Sequence, residues 1–238
     1  MTSNQLSHGP EESALRGKRQ PREVRQQQIL DAAVRVFSAH GYHAASMDEI
    51  STVAGVSKPM IYAYLGAKED LFSACLRRES TRMIEAIVAA VQPDLPPDVQ
   101  MWHGLCSFFG FVEQHRDSWR VLHRQVSTSG LPFGAELEQI RSRAITLVSA
   151  LLVTTASTAE QPEVGEAAIR SGEALAAALV GAGESLADWW LDHPEEPANA
   201  IAARLMNLVW MGFGDLMLDR VWQPPGNAKG SIGKAVVG

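Results

Sequence analysis

From Ile29 onward the apolar residues of this chain recur three and four positions apart, the spacing that stacks side chains on one face of an α-helix. No stretch sustains strand alternation, so the pattern predicts an all-α protein, with glycine and proline setting the breaks. Ile29, Ala33, Val36 and Phe37 mark a first helix, stopped at Gly41. A short second helix carries Ile50, Val53 and Ala54 inward and ends at Gly55, and a third carries Ile61 and Leu65. A long helix is expected over about 68–91, closed by Pro93, Pro96 and Pro97. Further helices are expected at about 98–115, 118–128 and 134–153, with breaks at Arg116-Asp117-Ser118 and Ser129-Gly130-Leu131-Pro132. Two long helices at about 163–193 and 197–221 come last, parted by Pro194 and Pro197.

With 238 residues, 46 % hydrophobic and 20 % charged, the chain has enough apolar material for a sizeable core. Residues 1–20 and the tail over 223–238 are polar or rich in Gly and Pro, and read as disordered. No apolar run reaches the roughly 18 residues of a membrane span; the longest candidate, Ala174 to Gly183, is flanked by Glu173 and Glu184. The polar start Met1-Thr2-Ser3-Asn4-Gln5 lacks the layout of a secretory signal, so a cytoplasmic protein is expected. Cys75 and Cys106 offer at most one bridge and no metal cluster. Buried small hydrophobes are the plain reading of both, a redox pair the alternative.

The net charge of −6 does not announce a nucleic-acid binder, but its distribution does more. Arg16, Lys18, Arg19, Arg22 and Arg25 face only Glu23, while residues 71–238 carry the negative excess. Such an arm is either a solvated tail or a polyanion-binding appendage on an acidic body. The segment behind it decides more. Ser46-Met47-Asp48-Glu49 has the form of a capping box, in which serine takes the amide three residues on and glutamate reaches back. Then come Ala54-Gly55-Val56-Ser57 and a second short helix, for which Ser57 is the expected cap. That is the plan of a helix-turn-helix, whose second helix enters a major groove with base-reading side chains near its N-terminus. A corner of an ordinary helical bundle is the alternative. The second helix would expose Lys58, Pro59, Tyr62 and Tyr64, and two tyrosine hydroxyls on a solvent face suit phosphate oxygens.

The run Ile29-Leu30-Asp31-Ala32-Ala33, Phe37, Gly41-Tyr42, Ser46-Met47-Asp48-Glu49-Ile50 and Ala54-Gly55-Val56-Ser57-Lys58-Pro59-Met60-Ile61-Tyr62-Ala63-Tyr64-Leu65-Gly66-Ala67-Lys68-Glu69-Asp70-Leu71-Phe72 resembles the DNA-binding domain of the tetracycline-repressor (TetR) family. The resemblance implies a three-helix head on a helical body. It implies a homodimer that binds a palindromic operator on double-stranded DNA and, as a repressor, lets go when a small ligand enters the body. Carried over by position, it places Ser46 near a phosphate, Lys58, Pro59 and Met60 at base edges, Tyr62 and Tyr64 against backbone or bases, and Lys68 against phosphate, with Ser57 at the helix start. Ala63 departs from a common aromatic and Tyr64 from a frequent histidine. Ala67 departs from the usual Ser or Asn cap, an exchange that weakens a helix start by roughly 1 kcal/mol. The expected division is a basic-ended arm over 1–20, the helix-turn-helix over 21–67, a ligand-binding and dimerisation domain over 68–222, and the tail.

The last two helices are apolar around most of their circumference and must be covered on more than one side. A two-fold four-helix interface with a second copy would do that; so would a monomeric core. Gly181, Gly183, Gly212 and Gly214 fall inside these helices, which suits close helix approach. Among the middle helices, Trp102, Phe109, Trp119 and Leu122, with His115 and His123, are the candidates to line a pocket for an apolar or amphipathic ligand; each alone reads equally as core. The histidines lack metal-ligand spacing, and no nucleophile elbow, P-loop or HExxH is present, so no cofactor, metal or enzymatic activity is expected. Two alternatives keep the fold: an activator, or a regulator controlled by a protein partner.

Overall fold

The computed structural model describes residues 21–123, 133–156 and 166–217, with side chains at 21–123, 133–152 and 170–211. The basic residues before Pro21, the break expected at 129–132, the tail and the side chain of every residue beyond 211 lie outside that description. Among the described residues the regular structure is helical throughout: α1 (Arg22–Ala44), α2 (Met47–Ala54), α3 (Lys58–Leu65), α4 (Lys68–Ala90), α5 (Pro97–Gln114), α6 (Arg116–Leu122), α7 (Gly134–Ala156), α8 (Glu166–Leu191) and α9 (Ala198–Met217). No helix among them is long and apolar enough to cross a membrane.

The head is α1–α3. Gly41 adopts φ 75°, so α1 kinks there rather than stopping, and a last turn runs on to Ala44. Ser46 caps α2 by accepting the Glu49 amide at 3.1 Å. The reciprocal half of the expected capping box does not form, because the Glu49 carboxylate turns to His40 Nε2 at 2.9 Å. Val53, expected inside, is 45 % exposed. The buried face of α2 is Met47, Ile50 and Ala54, spaced three and four apart, and Val53 falls beside that stripe. Gly55 closes α2 in the left-handed region at φ 63°, which glycine reaches without Cβ strain.

Two joints then orient α3 and α4. Ser57 holds the N-cap position of α3, but its side chain makes no capping bond. Gly66, between the helices, has φ 76° and ψ −152°, and a Cβ there would collide with the Asp70 carboxylate. That carboxylate accepts the Ala67 amide at 2.9 Å. Half of a capping box therefore survives although Ala67 lacks the oxygen to complete it.

Several contacts tie the head to the body. Phe72 on α4 is fully buried and meets Phe37 and Tyr42 of α1 with ring centroids 4.9 and 5.1 Å away, and Phe133 at 4.7 Å. Burial of such a ring is worth roughly 1.5–3 kcal/mol. Arg78 of α4 reaches Asp31 of α1 at 2.8 Å and the buried Glu79 at 2.6 Å. Ser38 of α1 donates to Asp117 of α6 at 2.7 Å.

In the body, α5 packs on α4 and α9, and α7 lies along α8. The break between α5 and α6 is the single residue His115 (φ −129°, ψ 50°), not Arg116-Asp117-Ser118 as expected. The His115 carbonyl accepts the Trp119 amide, so α6 opens directly at Arg116 and buries Ser118. Trp190 is 1 % exposed and donates from Nε1 to the Glu196 carbonyl at 2.8 Å, fixing the turn from α8 into α9.

Candidate nucleic-acid interface and internal cavity

Helix α3 buries Ile61 and Leu65 against the head. Its outer face follows from that register: Pro59, Tyr62 and Ala63 are exposed, and Lys58 and Met60 partly so. The Tyr62 ring is 47 % exposed. Tyr64 departs from the expectation of two free tyrosines. It is half-buried against the core, and Arg22 of α1 lies over its ring at 5.3 Å from the centroid. Its position three residues from Ile61 draws it toward the packed face.

Both lysines of this surface are held by acceptors. Lys58 Nζ sits 3.0 Å from Asp48 of α2, and that bond raises its pKa above the ordinary value. Lys68 Nζ donates to the His43 carbonyl at 3.1 Å and lies over the Tyr42 ring at 4.9 Å. Tyr42 in turn donates to Glu69 at 2.9 Å; burial and that carboxylate push its phenol up to about 12. Ser46 and Ser57 are exposed at the starts of α2 and α3. The N-termini of α2, α3 and α4 thus share one end of the head, bearing serines and lysines, groups that hold phosphate. Arg22 and His43 belong to the same surroundings, and of the two only His43 was not singled out from the sequence. Arg22 was legible as part of the basic arm; His43 is there because α1 continues past Gly41.

The cavity lies between α4, α5, α7 and α8, with α6 and α9 contributing one wall each. It encloses about 1090 Å³ of atom-free space, part of it open to solvent. Met83, Ile87, Leu105, Phe108, Leu147 and Leu179 are typical of its almost wholly apolar walls, which also carry Trp119, Gln100 and Glu184. Of the six residues expected to line a pocket, Trp119 does. Trp102 is packed against the core outside the cavity wall. Phe109 and Leu122 are buried core, the former edge-on to Trp190. His115 faces a polar cleft between α1 and α6, where burial and nearby Arg82 lower its pKa. His123 stacks on Trp119 at 5.0 Å, one layer behind the wall. The aromatics share the helical spacing of core residues, and spacing alone does not distinguish a cavity wall from a filled core.

Behind Trp119 lies a charged cluster. Trp119 Nε1 donates to Asp188 at 3.0 Å, and His123 Nδ1 meets the other Asp188 oxygen at 2.7 Å. Glu184, 3.9 Å from His123 Nε2, accepts from Arg141 Nε at 3.1 Å. Glu184 and Asp188 raise the His123 pKa against the opposing effect of burial. Burial pushes the Glu184 carboxyl up, but His123 and Arg141 outweigh it and hold it below its ordinary value. No group of three or more metal-ligating side chains occurs among the described residues. Cys75 is buried, its thiol 3.9 Å from the Leu30 carbonyl and pushed up to about 12 by burial.

Residues 29–75 match the model of the bacterial regulatory proteins of the tetR family, and residues 97–212 match the tetracyclin repressor-like C-terminal domain. A TetR-like transcriptional regulator from Rhodococcus sp. RHA1 is 42 % identical, with 82 % of this chain and 99 % of that one covered at a TM-score of 0.68. The chain belongs to the TetR family. As a TetR regulator it is a helix-turn-helix DNA-binding transcription factor, from a family of regulators rather than enzymes. The transcriptional activator FasR of Mycolicibacterium smegmatis is 28 % identical over 207 residues, which are 86 % of this chain and 90 % of its own length. FadR of Bacillus subtilis, solved in complex with stearoyl-CoA, shares the fold at a TM-score of 0.65, covering 77 % of this chain and 96 % of its own, with 18 % identity. In this TetR regulator α2 and α3 are the helix-turn-helix, and α4 leads from it into the body.

Proposed function

We propose that this regulator binds a palindromic operator as a homodimer, and that a long-chain acyl ligand in the α4–α5–α7–α8 cavity weakens its hold on DNA. The observation that carries the reading is the join of the two sites. Met83, Ile84 and Ile87 of α4 line the cavity, while the first turn of the same helix carries Lys68 at the DNA-facing end. The acyl assignment rests on the apolar walls and on the stearoyl-CoA bound by B. subtilis FadR. The boundary between head and body falls at 67/68, and the site of action is the cytoplasm, where the operator is.

The dimer reading rests on the outer faces of α8 and α9. Leu208 and Met211 of α9 are 73 % and 71 % exposed, and Trp189 of α8 is 43 % exposed. Arg204 lies over the Trp189 ring at 6.0 Å, joining the two faces. Apolar side chains this exposed call for a partner, and an isologous contact supplies one. In the DNA reading, Ser46, Ser57, Tyr62 and Lys68 hold phosphates and Lys58, Pro59 and Met60 approach base edges.

A mobility-shift assay with the DNA upstream of the chain's own coding region, without and with stearoyl-CoA, tests the proposal. A shifted band at nanomolar protein that the acyl-CoA abolishes is the expected result; a shift indifferent to it removes the ligand reading. Sedimentation at micromolar concentration should give twice the monomer mass. A second reading is favoured by FasR, which matches most of this chain and is an activator. In that case the same assay gives the ligand response, while a promoter fusion shows lower expression without the protein.

A further inference from the structure

We infer that the cavity selects a long-chain molecule bearing a hydrogen-bond donor, such as a hydroxylated acyl chain, and rejects one ending in a free carboxylate. The inference deepens the ligand-binding reading above and rests on it.

Its basis is the hydrogen-bonding stock of the wall. Gln100 and Glu184 are the amide and carboxylate side chains that line the cavity. The Gln100 amide nitrogen is already committed, donating to the Pro93 carbonyl at 3.1 Å and the Leu95 carbonyl at 2.7 Å. What Gln100 has left to offer is its oxygen. Glu184 is an acceptor on both oxygens, and its closest donor, Arg141 Nε, lies 3.3 Å from one and 3.1 Å from the other. A carboxylate has about four lone-pair sites, so accepting capacity remains. Two indoles also line the cavity: Trp119, whose N–H is turned to Asp188, and Trp210 on α9. Gln100 and Glu184 therefore present acceptors to the cavity.

A ligand carboxylate brought against these walls meets the ionised Glu184 in surroundings too apolar to screen the repulsion, and finds an oxygen rather than a donor at Gln100. A hydroxyl or amide N–H finds a partner at either. The cations of the cluster do not reverse this. Arg141 and His123 are paired with Glu184 and Asp188, and neither is among the side chains that line the cavity. An acyl group carried as a thioester has no carboxylate and is admitted, with a hydroxyl along the chain as the feature that gains affinity.

Matched twelve-carbon probes test this at neutral pH: 1-dodecanol, methyl undecyl ether and dodecanoate, each titrated into the full chain with tryptophan fluorescence as readout. The expected order is dodecanol tightest, the ether weaker by at least about threefold, and dodecanoate weaker than dodecanol by at least about tenfold. Glu184→Gln should narrow the gap between dodecanol and dodecanoate to about threefold or less. Circular dichroism checks that the variant folds; if it does not, the wild-type ranking alone decides. Equal binding of the alcohol and the carboxylate by the wild type, or a gap unchanged by Glu184→Gln in a folded variant, overturns the inference and leaves the cavity as a ligand site. Binding by none of the three probes overturns both this inference and the acyl-ligand reading beneath it.

Discussion

Lys58 and Lys68 each occupy the first position of a helix, where the aligned peptide dipoles disfavour a cation. Their neighbours in the free protein, Asp48 and the His43 carbonyl, offset part of that cost. Phosphate oxygens at the same helix ends would offset more, since they satisfy the helix amides as well. Replacing Lys68 with alanine is therefore expected to weaken binding to all DNA sequences alike and to lower the salt slope by about one; operator titrations at several salt concentrations measure both. Lys58 has a further task, because reaching a base edge means leaving Asp48. A second residue-scale expectation concerns His123. Its folded pKa lies above the unfolded value, so its contribution to stability is complete below about pH 6.5 and is lost as pH rises through the folded value. The melting-temperature difference between the wild type and His123→Asn should accordingly be largest near pH 6 and shrink by pH 8.5. A difference independent of pH would mean that packing on Trp119, not charge, is what the imidazole supplies.

Helices were more legible in the sequence than the joints between them. The long elements have apolar stripes and proline boundaries, and α4 and α5 fall within a residue or two of expectation. The start of α6 was misread because Arg116-Asp117-Ser118 looks like a turn. The real break is one residue of non-helical backbone at His115, which no residue type announces. Val53 was misassigned for want of a tertiary register: α2 has only eight residues, too few for periodicity to fix which neighbour of Ile50 turns inward. The recognition surface was read from motif spacing, and that spacing does not reveal that Tyr64 would lie under Arg22 or that both lysines would be held. Gly66 is the joint where sequence and geometry agree most closely. At φ 76° an alanine is strained by about 1–3 kcal/mol, and its Cβ would displace the Asp70 carboxylate that holds the Ala67 amide. Gly66→Ala should lower thermal stability and also reorient α3 against α4. Operator affinity should consequently fall by more than a control of equal stability loss, such as a trimmed side chain in the body; equal falls in the two variants would show that the joint has no directing role.

At the scale of the whole molecule the question is how an occupied cavity reaches the recognition helix. In a symmetric dimer the two α3 helices must meet major-groove faces about 34–36 Å apart, so small rotations of the heads spoil the fit. One connection is α4, the covalent link between head and body. The structure adds a second. Trp119 lines the cavity from α6, and α6 is bonded to α1 through Asp117, which accepts from Ser38 at 2.7 Å and pairs with Arg120 at 3.2 Å. A ligand pressing outward thus acts on the head at two points, the far half of α4 and the hinge from α6 to α1. Its effect is bounded by the difference between its affinities for the two states, and operator and ligand must oppose one another by the same factor. If the α6–α1 bond carries part of this coupling, Ser38→Ala should leave operator affinity in the absence of ligand nearly unchanged, leave stearoyl-CoA affinity in the absence of DNA nearly unchanged, and reduce the factor by which each weakens the other. Both affinities, each measured with and without the second partner, give that factor twice over, and the two values must agree. A factor identical to that of the wild type would place the whole coupling in α4, and the contact between Ser38 and Asp117 would then be a fastening of the head with no part in the response.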